Sequence, residues 1–450
     1  MTTPDTYPDT PFDRTALTHT GPLPEAVDVV VIGGGVIGVM AAWYLAEAGQ
    51  SVLLCEKGRI AGEQSSRNWG WIRQQNRDLG ELPVMVESLR LWKGLAQQLG
   101  EGLGFRQTGV TYLANSEADL AGFERWCPHG AAAGCGTVMW SKAETAARMG
   151  SDLWLGAMHT ASDARAEPWV AVPLIARALA EKGVMIREGC AVRVLDVQAG
   201  RVTGVVTEAG PVRAGQVLLA GGAWSALLAR AHGVTIPQLS VLASVGATVP
   251  MPEIHAGQAG DNHMGLRRRA DGGYTIAPGS EHDFFIGPDA FRNFTKYLKV
   301  LRQDFRSTHF RGVAPKGYPD GWTTPRKWQA DHPGPFEAMR ILNPAPNLAS
   351  LGRAQDQFAR AWPALGRPKF ARVWGGMIDT MPDVVPVVDN APLPGLTIAT
   401  GMSGHGFGIG PGMGRVLADL MLGRPTGHDL SRFRFSRFTD GSPIRPGLYG

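Results

Sequence analysis

The chain has 450 residues, a formal net charge of +4 and 44% hydrophobic residues. The length exceeds what one core usually supports, so two domains are expected, and the small charge, with no long Lys or Arg run to track phosphates, argues against nucleic acid as a partner. Cys55, Cys127, Cys135 and Cys190 form no CxxC pair, so neither a disulfide framework nor a zinc or other metal site is indicated, and a reducing cytoplasm is the expected location.

In chain order, Met1 to Glu25 is rich in Thr, Asp and Pro and lacks both an apolar core and a twin arginine. It reads as an arm (1–26), mobile or packed on a partner subunit, rather than as a secretory signal. An apolar strand from Asp28 to Ile32 then turns through Gly33-Gly34-Gly35 into a helix from Val36 to Ala48. Gly33 permits the turn, Gly35 lets the backbone approach a pyrophosphate, and Gly38 lets helix and strand pack closely; the helix opens at Val36 and Ile37 with its amide N–H groups toward the ligand. Glu56 follows Gly38 by eighteen residues, at the end of a second strand. It is placed to accept hydrogen bonds from adenosine ribose hydroxyls and to repel a 2′-phosphate, an effect that Lys57 offsets only in part. Strand, glycine turn, helix and acid at this spacing mark a site for FAD or NAD rather than NADP. A transmembrane reading fails on the length of the run and the glycines at its centre.

Further returns to a parallel sheet are expected. A helix from Trp169 to Lys182 leads to strands at Val184 to Glu188 and Ala191 to Val197, then to a hairpin of Arg201 to Thr207 with Pro211 to Ala214. The apolar strand from Gln216 ends in Ala220-Gly221-Gly222-Ala223-Trp224-Ser225, as a central strand ending at a ligand should. Ser240 to Val385 reads differently: Val241 to Val249 and Gly273 to Ala277 alternate like antiparallel strands, and Asp289 to Phe305 has the spacing of an amphipathic helix lying across them. Arg267-Arg268-Arg269 is expected to be mostly solvated, since neighbouring strand positions face opposite sides. Near the C-terminus, a strand at Leu396 to Thr400 precedes a glycine loop, Gly401 to Gly412, that opens a helix from Met413 to Leu422. This is a second helix N-terminus aimed at a ligand. One nucleotide has no use for two such loops, whereas a flavin dinucleotide would place its pyrophosphate at the first and its isoalloxazine ring at the second.

Four blocks together resemble the D-amino-acid-oxidase-like flavoprotein superfamily, with glycine oxidase, sarcosine oxidase, D-amino acid dehydrogenase and γ-glutamylputrescine oxidase. They are the glycine turn with Glu56; Gly62-Glu63-Gln64-Ser65-Ser66-Arg67-Asn68-Trp69-Gly70; Val217 to Ser225; and Trp374 to Pro386 followed by Gly401 to Gly412. The resemblance implies an α/β FAD-binding Rossmann-like domain (27–90, 160–239 and 386–450) with an inserted α+β antiparallel-sheet substrate or cap domain (91–159 and 240–385). It implies noncovalent FAD, since no cysteine follows Cys190 to carry a C-terminal cysteinyl linkage. It also implies oxidation of a C–N bond in a small amine or amino acid, with dioxygen or a quinone as electron acceptor; a homo-oligomer is compatible with it. By similarity, Ser65, Ser66, Arg67, Asn68, Trp69 and Gly70 line the flavin, and Val192, Ala220, Gly221 and Trp224 flank the cofactor. Gly404, His405, Gly406, Phe407 and Gly408 meet it from the second loop. Structural alternatives are a loop-to-sheet bridge for Arg67 and core packing for Trp69 and Trp71.

Substrate residues depart from the family pattern. Where amino acid oxidases of this superfamily carry a carboxylate-clamping arginine after Trp374-Gly375-Gly376, this chain has Ile378, and Asp379 stands where a proline is common. That resembles the amine-oxidising branch. Arg73 occupies a position similar to the carboxylate-binding arginine of sarcosine oxidases and is the first choice as substrate anchor, against an ordinary salt bridge. His263 and Tyr274 are further candidates, on expected cap strands. The leading expectation is a secondary amine, N-substituted amino acid or polyamine-like substrate. Behind it stand a D-amino acid dehydrogenase, an FAD-dependent 2-hydroxy acid dehydrogenase and an accessory flavoprotein subunit.

Overall fold

A computed structural model describes residues 16–447. The strand Ala26–Ile32 forms because its β-branched residues alternate between two apolar layers, Val29 and Val31 on one face, Val30 and Ile32 on the other. It lies inside an eight-stranded sheet whose parallel centre runs Leu396–Thr400, Gly210–Leu219, Ala26–Ile32, Val52–Cys55 and Met185–Arg187, with Val387–Asn390 antiparallel at one edge. Helices Val36–Glu47, Leu82–Leu99, Pro168–Glu181 and Gly406–Met421 cover one face. A second, ten-stranded sheet is mostly antiparallel. It is built around Leu239–Thr248, which pairs with Phe370–Thr380 so that Val241 opposes Ile378 and Ala243 opposes Gly376.

Two elements differ from expectation. Pro211 to Ala214 and the strand after it are one continuous strand, Gly210–Leu219. Its first half pairs antiparallel with Arg201–Thr207, and its second half pairs parallel with Leu396–Thr400 along the same edge. One strand therefore serves both a hairpin and the parallel core. The last helix starts at Gly406, seven residues before Met413. Most of the expected glycine loop is therefore helical, because the glycines are contact points: a Cβ on Gly410 would lie 2.6 Å from Val36, on Gly412 2.6 Å from the Val84 carbonyl, and on Gly414 2.5 Å from the Met40 backbone. Close helix packing overrides their weak helix propensity.

Residues 1–15 of the expected arm lie outside the described residues. From residue 16 the chain packs on itself: Thr18 and His19 donate backbone N–H bonds to Glu188, and Arg187 donates to the Pro22 carbonyl. The expectation of a solvated Arg267 to Arg269 is corrected. Arg267 is fully buried, and its guanidinium forms a two-point ion pair with Glu167 at 2.9 and 3.0 Å. Arg269 is buried as well, on the Thr248 and Tyr274 carbonyls. Arg268, on the opposite face, is half-buried and donates to the Met251 carbonyl, so all three long side chains find acceptors. Among the described residues no helix is long and apolar enough to cross a membrane.

Candidate active site

One cavity of about 880 Å³ runs from the glycine turn, past the end of Gly210–Leu219 and the N-terminus of Gly406–Met421, to the cavity-facing side of the second sheet. At its inner end Gly33 has φ +113°, a conformation that favours glycine, and a Cβ there would collide with the Ala220 carbonyl. Gly38 likewise has no room against the Gly33 carbonyl; it packs strand to helix and does not line the cavity. Gly35 opens toward the cavity, its nearest obstacle being Ser65 Oγ. Ser65 Oγ accepts the Val36 N–H at 2.8 Å. Apart from that bond to Ser65, helix Val36–Glu47 has no capping side chain of its own and no acid in its first turn, so its remaining first-turn N–H groups are open to an anion.

Glu56 accepts the Gly34 N–H at 2.8 Å and the Gly58 N–H at 2.7 Å, one on each carboxylate oxygen, and burial pushes its pKa up. It shapes the turn while still facing the cavity. Lys57 lines the cavity too, but its ammonium is spent: it donates to Glu63 at 2.8 Å and to the Met339 and Arg340 carbonyls, and lies over the Trp224 ring. Burial raises the Glu63 pKa, but Lys57 outweighs it and holds the carboxyl below its ordinary value.

Arg67 bridges loop and sheet. Its Nη1 donates to Asn343 Oδ1 at 2.5 Å and to the Gly375 carbonyl at 2.9 Å, while it also lines the cavity. Asn68 folds back on its own turn, accepting the Gly70 N–H at 2.8 Å and donating to the Ser65 carbonyl. Trp69, Val192, Ala220, Gly221, Trp224, Gly404, His405, Gly406 and Phe407 all line the cavity, whereas Ser66, Gly70 and Gly408 are packed behind it. Helix Gly406–Met421, like the first, has no capping side chain and no acid in its first turn.

Several contributors escape sequence inspection. Asp379 accepts the Gly401 N–H at 2.6 Å and a bond from Thr400, its carbonyl accepts the Ser403 N–H, and its own N–H donates to Gln64. It thus pins the second loop to the second sheet, and burial raises its pKa. Beneath the loop, His405 Nδ1 donates to Glu81 at 3.1 Å, and Arg77 pairs with Glu81 at 3.4 Å. Burial depresses the His405 pKa despite that carboxylate, and burial lowers Arg77 to about 10. The chain separation of 324 residues between Glu81 and His405 leaves no local signal.

Arg73 reaches the cavity with no carboxylate partner among the described residues. It donates to the Gln75 and Asn76 carbonyls of its own turn and lies over the Tyr112 ring at 5.5 Å. Trp69, Trp71 and Tyr112 form an edge-to-face aromatic wall beside it. Neither His263 nor Tyr274 lines the cavity, although Tyr274 lies on a strand of the second sheet as expected. His263 sits on an exposed turn before the strand Met264–Arg268. Tyr274 points to the other face of the second sheet, fully buried, with its hydroxyl on the His255 carbonyl.

The family profile described as FAD dependent oxidoreductase matches residues 28–420. The chain belongs to this family. It is an FAD-dependent oxidoreductase acting on amines or amino acids. Relatives are distant. Sarcosine oxidase subunit beta of an Arthrobacter species is 24% identical over 439 residues, covering 93% of each chain. D-amino acid dehydrogenase of Paramagnetospirillum magneticum is 25% identical over 475 residues, covering 91% of this chain and 99% of the relative. Among solved structures, L-amino acid deaminase from Proteus myxofaciens in complex with anthranilate superposes with a TM-score of 0.89 at 28% identity, covering 95% of this chain and 97% of that one. The cradle fits FAD: two open helix N-termini, a glycine facing the cavity and a buried carboxylate at the ribose end share one cavity.

Proposed function

We propose that this protein oxidises the C–N bond of a secondary amine, an N-substituted amino acid or a polyamine-like compound. The observation that carries the reading is Arg73, a guanidinium in the cavity that makes no salt bridge among the described residues, with Glu81 and Asp163 acting on it only at longer electrostatic range, combined with the apolar Ile378 lining the same cavity. When bound, FAD would supply the two-electron hydride acceptor for the amine-bearing carbon, and the imine released would hydrolyse in water.

The chain's own residues bind and orient. In this reading the glycine turn, Val36 and Ile37 would hold the pyrophosphate, Glu56 the ribose, and Gly404 to Phe407 the ring, and the positive end of helix Gly406–Met421 would favour negative charge there. Asp379 and the Glu81–His405 pair hold that loop in place, so the dipole is aimed before substrate arrives. Arg73 clamps a substrate carboxylate, and Trp69, Trp71 and Tyr112 offer faces to the amine cation. The first sheet serves as the FAD domain and the second as the substrate cover.

Arg73 equally suits the α-carboxylate of a D-amino acid, which makes D-amino acid dehydrogenation the second reading. Anaerobic stopped-flow mixing of the holoenzyme with an amine, D-amino acid and 2-hydroxy acid panel separates the readings by which compounds bleach the flavin. Admitting air afterwards shows whether dioxygen is the acceptor. A flavin left oxidised by every amine, but bleached by hydroxy acids, overturns the proposal.

A further inference from the structure

Helix Pro288–Asp304 is inverted with respect to ordinary packing. Its buried positions are Asp289, Asn293 and Tyr297, each with polar partners: Asp289 pairs with Arg230 at 2.7 Å, Asn293 donates to the Asp289 carbonyl, and the Tyr297 hydroxyl donates to the Thr380 carbonyl at 2.6 Å. Its apolar positions face outward instead, with Phe291 67% and Phe294 55% exposed. A soluble helix that buries its polar stripe and bares two phenylalanines leaves apolar surface to be covered by something.

The cavity says what covers it. Ala290, Phe291, Phe294, Tyr297, Leu301 and Asp304 recur at helical spacing along this one helix and all line the cavity that also holds Arg73 and Gly404. Val241, Phe284 and Ile286 form the opposing wall. This part of the cavity is continuous with the site, and its lining also includes the polar residues His282, Asp304 and Thr308, with Thr308 Oγ1 2.9 Å from His282 Nε2. A protein partner would need no connection to the redox site, whereas a substituent on the substrate would require one.

Resting on the amine-oxidising reading, we infer that the arm between helix Pro288–Asp304 and the second sheet receives a bulky alkyl or aryl group of the substrate. The enzyme then prefers lipophilic amines over the smallest N-methyl amino acids, and Phe291 and Phe294 set that preference. Each methylene buried in the arm tightens binding about fourfold until the polar residues are reached.

The test uses holoenzyme and a series of ω-phenylalkyl amines bearing two methyl groups on the amine carbon, which therefore carries no hydrogen to transfer. Their dissociation constants are read from the perturbed flavin spectrum. The expected result is progressive tightening with chain length in the wild type, a loss of tenfold or more for the longest members in Phe291→Ala and Phe294→Ala, and near recovery in Phe294→Leu. Both residues are exposed, so the variants are expected to retain FAD. Equal chain-length dependence in wild type and variants overturns the inference, as does a flat series in the wild type. Because reduction by small amines is scored separately in the stopped-flow panel, a flat series leaves the amine-oxidising reading standing, and a failed panel is recognised as failure of that reading.

Discussion

Arg73 illustrates what one residue contributes when its hydrogen bonds go to carbonyls rather than carboxylates. Its two hydrogen bonds to Gln75 and Asn76 orient the guanidinium without forming a salt bridge, while Glu81 and Asp163 act on it only at longer range. A substrate carboxylate would supply charge-assisted bonds worth about 1.5–3 kcal/mol, so Arg73→Ala is expected to weaken carboxylate-bearing amines roughly tenfold to a hundredfold in the reductive half-reaction. Amines lacking a carboxylate should be unaffected, and equal losses for both groups would remove Arg73 from substrate binding. His405 works through acid–base balance. Burial depresses its pKa, so as pH falls through the ordinary histidine value the unfolded chain takes up a proton before the folded one does. Stability is therefore present above that value and drains away below it. His405→Asn should show a shallower fall of Tm between neutral and mildly acid pH than the wild type, measured by thermal unfolding across buffers. The sequence exposed both residues, Arg73 through its place just past the Ser65 to Gly70 block and His405 through the second glycine loop, but missed Glu81, which meets His405 only in the folded chain.

Among the elements, helix Gly406–Met421 shows how propensity yields to packing. Gly408, Gly410 and Gly412 read as loop, yet Gly410 and Gly412, like Gly414 in the expected helix, mark places where another element approaches too closely for a side chain, and Gly408 lies in tight contact with the Trp71 carbonyl. Gly414→Ala would put a methyl 2.5 Å from the Met40 backbone, which cannot move aside as a side chain tip can. A cost of about 1–3 kcal/mol is expected, with a lower Tm and faster loss of FAD. Gly94, in helix Leu82–Leu99, has nothing within 4 Å. Gly94→Ala should therefore be neutral or stabilise by about 0.5–1 kcal/mol. Differential scanning calorimetry of the two variants checks both signs. The strands of the first sheet and several helices were readable from periodicity and glycine placement, whereas helices Leu82–Leu99, Glu117–Ala132 and Leu348–Ala361 and strand Phe370–Thr380 were not placed from the sequence. The boundaries of helix Gly406–Met421 and strand Gly210–Leu219 did not follow, because contacts far along the chain decide where each begins.

Across the whole molecule, the two sheets are tied through buried polar groups as well as apolar packing. Arg267 on the second sheet meets Glu167, which precedes a helix of the first layer, and the same carboxylate accepts from Arg165 at 3.3 Å and from the Ala270 N–H. Taking away one member strands a buried charge, so Arg267→Met is expected to cost about 3 kcal/mol, the low end for a broken buried pair because Arg165 remains. The double variant Arg267→Met/Glu167→Gln should regain part of that loss. Thermal unfolding and retained flavin content measure both, and a single variant as stable as the wild type would show the pair to be dispensable. The aromatic arm beside helix Pro288–Asp304 also belongs to this scale, since its walls come from both the helix and the second sheet.

The sequence by itself determined the cofactor and the family. A strand, a glycine turn, a helix start and an acid are local in the chain, and their chemistry toward a dinucleotide is set by backbone conformation and spacing. What only the tertiary structure decided is the ground around the substrate: that Arg73 forms no salt bridge among the described residues, that Arg267 is buried, that His263 and Tyr274 stand away from the cavity, and that Asp379 and Glu81 brace the second loop. Those facts depend on which side chains, hundreds of residues apart, come within hydrogen-bonding distance, and short-range pattern carries no record of that.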